Sequence, residues 1–178
     1  ASAMAGVTNL LVRAVDPAAR HETAELRDRF RTLHEAAVAE LEADLGDQAP
    51  LLRAELAELV SECDRLLKGV VLLDECSPSV LAQVSSLGER ASCAILCALL
   101  QARGLAPQYL DPREFLIANG DPFQARPHLD DIQARFSPLR AGGGALWLLP
   151  GFFGGDPQGK IVSLGRGGSD YSAALASA

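Results

Sequence analysis

The spacing of apolar residues changes character partway along the chain, and that change limits what it can fold into. From His21 to Leu45 and from Pro50 to Leu73, charged and apolar residues recur at three- and four-residue intervals, the pattern of amphipathic helices with one solvated face. Ser77-Pro78 supplies an N-cap and a proline at the first helical position. It predicts a third helix running to about Arg103, with Gly104 placed to cap its end. Beyond it the apolar runs become short and are bounded by proline and glycine. Gln108-Tyr109-Leu110 and Ala145 to Leu149 read as buried strands, with Asp130 to Leu139 a helix between them. Lys160 to Leu164 reads as a strand closing a hairpin over the loop from Gly151 to Gly159. Helices alternating with buried strands define an α/β class with a mainly parallel sheet flanked by helices. Ligands of such folds sit at the carboxyl ends of the strands.

A chain of 178 residues, 48% of them hydrophobic, buries one full core, so one domain or most of one is expected. Its 23 acidic and 16 basic side chains give a net charge of −7. That balance lacks the basic excess with which proteins bind a phosphate backbone, so nucleic acid is excluded as a partner. No apolar run reaches the roughly 18 residues that cross a bilayer, and no signal-like segment leads the chain. A soluble, cytoplasmic protein without membrane association is expected. The four cysteines, Cys63, Cys76, Cys93 and Cys97, form no C-x-x-C pair and sit in helical segments, which predicts buried free thiols rather than a zinc site. His21, His34 and His128 show no ligand spacing and read as surface residues.

Both ends read as cuts through a larger fold. Ala1 to Met4 looks like the end of a strand leading into the turn-forming Gly6, and Ser169 to Ala178 reads as an N-cap followed by two turns of Ala-rich helix. The most informative segment, Leu164-Gly165-Arg166-Gly167-Gly168-Ser169-Asp170-Tyr171-Ser172-Ala173-Ala174, follows a strand and opens that helix. Glycines let a backbone approach a bound group, a helix start favours an anion, and Arg166 offers a planar fork for a carboxylate or phosphate. The same residues also suit an ordinary glycine-rich turn capped by Ser169. The residues alone lead to an α/β domain with an anion site or such a turn.

Leu164 to Ala174 resembles the most diagnostic motif of the aspartokinases, and three further segments agree with that family in order and spacing. Gly151-Phe152-Phe153-Gly154, followed by a short loop and Gly159, is similar to its substrate-side hairpin. Ser2 to Asn9 is similar to its Ser-Ala-x-x-Gly-x-Thr-Asn turn after the second strand, and Leu87 to Ser92 to its Gly-Glu helix segment. The stretch from Leu67 to Glu89, with a helical insertion upstream, looks closest to the kinase portion of bifunctional aspartokinase–homoserine dehydrogenases. The resemblance spans the whole chain. It implies part of a three-layer amino-acid-kinase-like α/β fold with a helical insertion in the first half.

The implied activity is phosphorylation of the aspartate side-chain carboxylate by MgATP to give 4-phospho-aspartate, the first step of lysine, threonine and methionine biosynthesis. The implied partners are aspartate and ATP, with Mg²⁺ carried by the nucleotide, and the implied assembly is a homodimer or higher homo-oligomer. By the same resemblance, Glu89 pairs with the substrate ammonium and Arg166 clamps the α-carboxylate. Ser2, Thr8 and Ser169 supply donors, Phe152 packs against the substrate, Gly165, Gly167 and Gly168 form the anion loop, and Asp170 holds catalytic lysines in place. The sequence departs from the family in one respect that bears on activity. The first-strand Lys-Phe-Gly-Gly-Thr-Ser motif and the nucleotide half have no counterpart here, and Lys68 and Lys160 match no family position. The chain is therefore expected to be the aspartate-binding half of the catalytic domain and inactive by itself. The family's Thr-Thr before Leu164-Gly165 is Val162-Ser163, a mild change for a strand. The alternatives are a non-catalytic amino-acid-binding or dimerising α/β module and a related carboxylate kinase.

Overall fold

A computed structural model describes residues 1–142, 144–165 and 167–177. They form α1 (Val7–Ala14), α2 (Thr23–Glu40), α3 (Glu42–Leu45), α4 (Ala49–Leu73), α5 (Pro78–Ala102), α6 (Pro112–Phe115), α7 (Leu129–Gly142) and α8 (Gly168–Ser177). Between them run β1 (Pro107–Tyr109), β2 (Ala118–Asn119), β3 (Arg126–Pro127), β4 (Leu146–Leu148), β5 (Phe153–Gly155) and β6 (Ile161–Ser163). The α/β class read from the sequence is what the chain adopts. Among the described residues no helix is long and apolar enough to cross a membrane.

Helix α5 has a local cause for both of its ends. The Ser77 hydroxyl of α5 accepts the Val80 amide at 3.3 Å, and Pro78 occupies the first helical position. At the other end Gly104 takes φ +76°, its amide bonds Gln101 O at 2.9 Å, and the Leu105 amide bonds Leu100 O at 3.0 Å. These are the paired bonds of a left-handed glycine cap. The segment read as one helix from His21 to Leu45 is broken: a 3₁₀ turn covers Pro17–Glu22, α2 ends at Glu40, and Gly46 turns the chain with φ +50°. Residues 7–9, read as part of a turn, open α1, with Val7, Leu10, Leu11 and Ala14 on its buried face.

Two apolar clusters organise the molecule. The first joins α1, α2, α4 and α5 around Leu11, Phe30, Val38, Leu52, Cys63 and Leu87; the second packs α7, α8 and the strands around Leu116, Ile132, Phe136, Val162 and Leu175. Helix α5 touches both halves, packing on α1 and α4 and also on β1 and β6. Its middle is buried on nearly every side, which Ser85, Ser86, Gly88 and Ala91 permit by being small. His34, read as a surface residue, lies on the inward stripe Leu26, Phe30, His34, Val38 of α2 and is 1% exposed. Its Nδ1 donates to Phe30 O at 2.7 Å, and burial holds its pKa below the usual range. His21 and His128 are exposed as expected. All four thiols are free. Cys63 and Cys93 are buried, and burial pushes both up to about 12, whereas Cys76 and Cys97 are only partly covered.

Strands β1 and β4 pair in parallel, with Gln108 opposite Trp147. On the other edge of β4, the Ala1 amine donates to Leu149 O at 2.6 Å and the Gly151 amide donates to Ala1 O at 2.7 Å. Those are the bonds of a parallel pair, so Ala1 lies strand-like beside the residues that follow β4. Strands β5 and β6 form the expected hairpin, with Gly154 opposite Val162 and the Asp156 carboxylate accepting the Gln158 and Lys160 amides across its turn. The short antiparallel pair of β2 and β3 was not legible beforehand.

The closest approach in the helical half is at Gly88. A Cβ there would lie 2.9 Å from Val7 Cγ1 and 3.0 Å from the Ala3 Cβ, whereas one at Gly69 on α4 would meet nothing within 4 Å. Gly88→Ala is therefore expected to lower stability by roughly 1–2 kcal/mol despite its better helix propensity, because overpacking outweighs it. Gly69→Ala should raise stability by up to about 1 kcal/mol. Denaturant titrations of the two variants check the opposite signs, and a stabilised Gly88→Ala protein would contradict the packing.

Candidate functional site

The closeness of Gly88 to residues 3–11 brings its neighbour Glu89 beneath the same segment. Glu89 is 2% exposed, and its Oε2 has no hydrogen-bond partner among the described residues. Burial pushes its carboxyl up to about 7, while its own amide, the Ala3 amide and the Thr8 hydroxyl favour the charged form. A buried carboxylate with one oxygen unspent is costly unless a donor or cation completes it.

The same leading segment joins Glu89 to the glycine-rich helix start. Ser2 Oγ lies 3.3 Å from Ser169 Oγ. Ser169 sits inside the first turn of α8 rather than at its cap, because the helix begins one residue earlier, at Gly168. Gly151 fills the space between: a Cβ there would lie 2.9 Å from Ser169 Cα and 3.2 Å from Ala1 O. Phe152, buried, carries φ +72°, a left-handed conformation that is uncommon for a residue with a side chain. It lies against Gly168, where a Cβ would come within 3.0 Å of Phe152 O and 3.2 Å of its ring Cδ2. Gly165 and Gly167 have φ +79° and +72°, and the Gly168 amide closes the turn onto Gly165 O at 3.0 Å. The glycines thus serve both backbone conformation and close approach. Asp170 is exposed in the first turn of α8. Arg166 lies outside the described residues.

Of the residues singled out in the sequence, Ser2, Thr8, Glu89, Phe152 and Ser169, with glycines 165, 167 and 168, therefore belong to one connected region. It is drawn from four stretches of chain: residues 1–8, 88–89, 151–152 and, after β6, residues 165 and 167–169. Lys68 and Lys160 are elsewhere. Lys68 pairs with Asp64 on α4 at 2.5 Å, and Lys160 faces a separate cleft of about 800 Å³ lined also by Glu62, Arg90, Tyr109 and Arg113. None of the described candidate residues lines that cleft, and its Arg90 is bonded twice to Glu62, at 2.8 and 2.9 Å. Sequence reasoning overlooked Ser172, which is 1% exposed and accepts the Phe152 amide at 2.9 Å. A lone hydroxyl among the alanines of α8 was the available sign.

The chain belongs to the amino acid kinase family, whose model matches residues 2–178. Within that family the relatives it resembles are aspartokinases. It is 30% identical over 179 residues to the aspartokinase of Schizosaccharomyces pombe, an alignment covering 96% of this chain and 34% of the relative. It is 27% identical over 183 residues to the bifunctional aspartokinase/homoserine dehydrogenase of Haemophilus influenzae, covering 99% of this chain and 22% of that protein. The crystal structure of E. coli aspartokinase III in complex with lysine and aspartate superposes with a TM-score of 0.84 at 29% identity, over 99% of this chain and 38% of that one. The chain spans 22 to 38% of the lengths of these proteins.

The raised pKa of Glu89 has a defined effect on stability. Between the usual value of 4.5 and about 7 the folded chain keeps a proton that the unfolded chain has released, so stability falls as pH rises through that window. Glu89→Gln removes this dependence. The stability of the variant relative to the parent should grow by roughly 2–3 kcal/mol between about pH 4.5 and about pH 8. Denaturation at both pH values measures it, and a difference independent of pH would show that the carboxyl is not perturbed.

Proposed function

We propose that these 178 residues are the aspartate-binding half of an aspartate kinase catalytic domain, acting within a longer cytoplasmic enzyme that assembles as a homodimer or higher homo-oligomer. The observation that carries the reading is Glu89: a carboxylate buried at 2% exposure with an oxygen unpartnered among the described residues, beside the Thr8 hydroxyl and the Ala3 amide, with Ser2, the residue before Ala3, reaching Ser169. Such a place suits an ammonium flanked by polar groups. An amino acid presents that ammonium together with an α-carboxylate, for which Arg166 supplies a bidentate fork.

The chemistry asks little covalent work of the protein. The β-carboxylate of aspartate is ionised at neutral pH and attacks the γ-phosphorus without a general base, while the bond to the ADP leaving oxygen breaks. Positioning of the acceptor and neutralisation of the phosphoryl charge remain. These residues supply the first: Glu89 holds the ammonium, Phe152 bounds the pocket, and Gly165, Gly167 and Gly168 bring backbone close to the anion. Asp170, exposed in the first turn of α8, is assigned in this reading to orient lysines from outside this stretch, since Lys68 and Lys160 lie away from the site. Among the described residues no three His, Cys, Asp or Glu side chains lie together as a metal site, and in this reading Mg²⁺ rides on the ATP phosphates.

Two substitutions in the complete enzyme test the assignment. Glu89→Gln should cost roughly 1.5 to 3 kcal/mol in kcat/KM for aspartate, the range for a hydrogen bond to a charged group, and almost nothing for succinate, which lacks the ammonium. Parallel losses for the two acceptors would make Glu89 structural. Arg166→Lys should raise the KM for aspartate strongly and leave that for ATP nearly unchanged, because an ammonium cannot reproduce the fork. Equal losses for both substrates would place Arg166 at the phosphates instead.

A further inference from the structure

Phe152 is held on both sides of its peptide backbone. Its carbonyl accepts the Leu164 amide at 2.8 Å, from the end of β6, and its amide donates to Ser172 Oγ at 2.9 Å, from one turn inside α8. Ser172 Oγ in turn donates to Gly168 O at the start of the same helix. The hydroxyl therefore accepts from the hairpin side and donates to the glycine-turn side, and it is buried while doing so. A serine inside a helix commonly bonds the carbonyl four residues back and does nothing more. Here it also takes a backbone amide from 20 residues earlier, and that amide belongs to the residue with φ +72°. A left-handed phenylalanine persists only where its surroundings over-determine it. Packing alone would be met by alanine, the residue at 173 and 174.

We propose that Ser172 is a positioning residue for the amino-acid substrate: its hydroxyl locks Phe152 in the left-handed conformation and fixes the hairpin entrance at residues 151–152 to the helix start at Gly168. The proposal rests on the aspartate kinase reading above. Without the hydroxyl the Phe152 amide is buried with no partner, and the residue relaxes toward negative φ. That movement turns the ring off Gly168 and shifts Gly151 from its contact with Ser169. The aspartate side of the site loosens, whereas nucleotide binding, which the reading above assigns to residues outside this stretch, is left unaltered.

The test uses the complete enzyme, assayed for aspartate-dependent ADP formation. Ser172→Ala is expected to raise the KM for aspartate about tenfold, the factor an ordinary buried hydrogen bond supports, with the KM for ATP changed less than about twofold. Ser172→Thr keeps the hydroxyl and should return the aspartate KM to within about threefold of the parent. Glycine adopts φ +72° without strain, so in a Phe152→Gly background adding Ser172→Ala should change the aspartate KM less than about twofold. Should the alanine protein not fold, Ser172→Cys, with a weak sulfur acceptor in similar volume, reads the same effect. An unchanged aspartate KM in the alanine or cysteine variant, an equal rise in both KM values, or no rescue by threonine overturns the proposal. A parent enzyme that forms no ADP with aspartate overturns the kinase reading itself, and is seen before any variant is made.

Discussion

The site depends on one contact without slack, the seating of residues 3–11 on α5 at Gly88. Because a side chain at that position would run into Val7 and Ala3, the two segments meet backbone to side chain, and the next residue along α5 is covered by the same strip of chain. Glu89 is buried for this reason and not because its surroundings are apolar all round. The contact also fixes where residues 1–2 run, beside β4 and onto the start of α8. Loss of that seating would release the carboxylate to water and separate the two halves of the region together.

Two further glycines repeat the device on the α/β side. Gly151 lies against Ser169 and Gly168 against Phe152, so the hairpin entrance and the helix start touch at backbone distance. A site built this way has little freedom to adjust, since packed backbone moves as a unit. Its donors are accordingly preorganised, and the cost shows locally: one strained φ at Phe152 and one incompletely paired carboxylate at Glu89. Asp74 also has a left-handed φ, of +56°, and Arg20 Nε, His34 Nε2 and Ser85 Oγ are also buried without a partner among the described residues, so what distinguishes this region is that both costs fall beside the close glycine contacts.

Much of this was legible in the sequence because it rests on local rules. The Ser77-Pro78 start and Gly104 end of α5, the hairpin of β5 and β6, and the helix opening after the glycine run all follow from capping and turn chemistry. The burial of His34 was also within reach, since it falls on the stripe of Leu26, Phe30 and Val38, but three scattered histidines drew attention to ligand spacing instead. Other features were not local. The break after Glu40 and the pairing of β2 with β3 are set by tertiary packing on short segments with weak periodicity. Ser172 escaped notice because nothing in an Ala-rich helix says which distant amide its hydroxyl will meet. The candidate residues were found through the resemblance, and their common cause, three glycines chosen for closeness, emerged only from the distances.

The elevated pKa of Glu89 also makes this region a store for one proton. At mildly acidic pH the carboxyl is largely protonated, and a cation arriving beside it displaces that proton into the solvent. Association then carries the ionisation heat of whichever buffer takes the proton up, so the enthalpy of binding would differ between phosphate and Tris although the complex formed is identical. Above the titration the exchange vanishes and the two buffers agree. In the proposed reading the buried carboxylate thereby couples ligand occupancy to proton uptake and release.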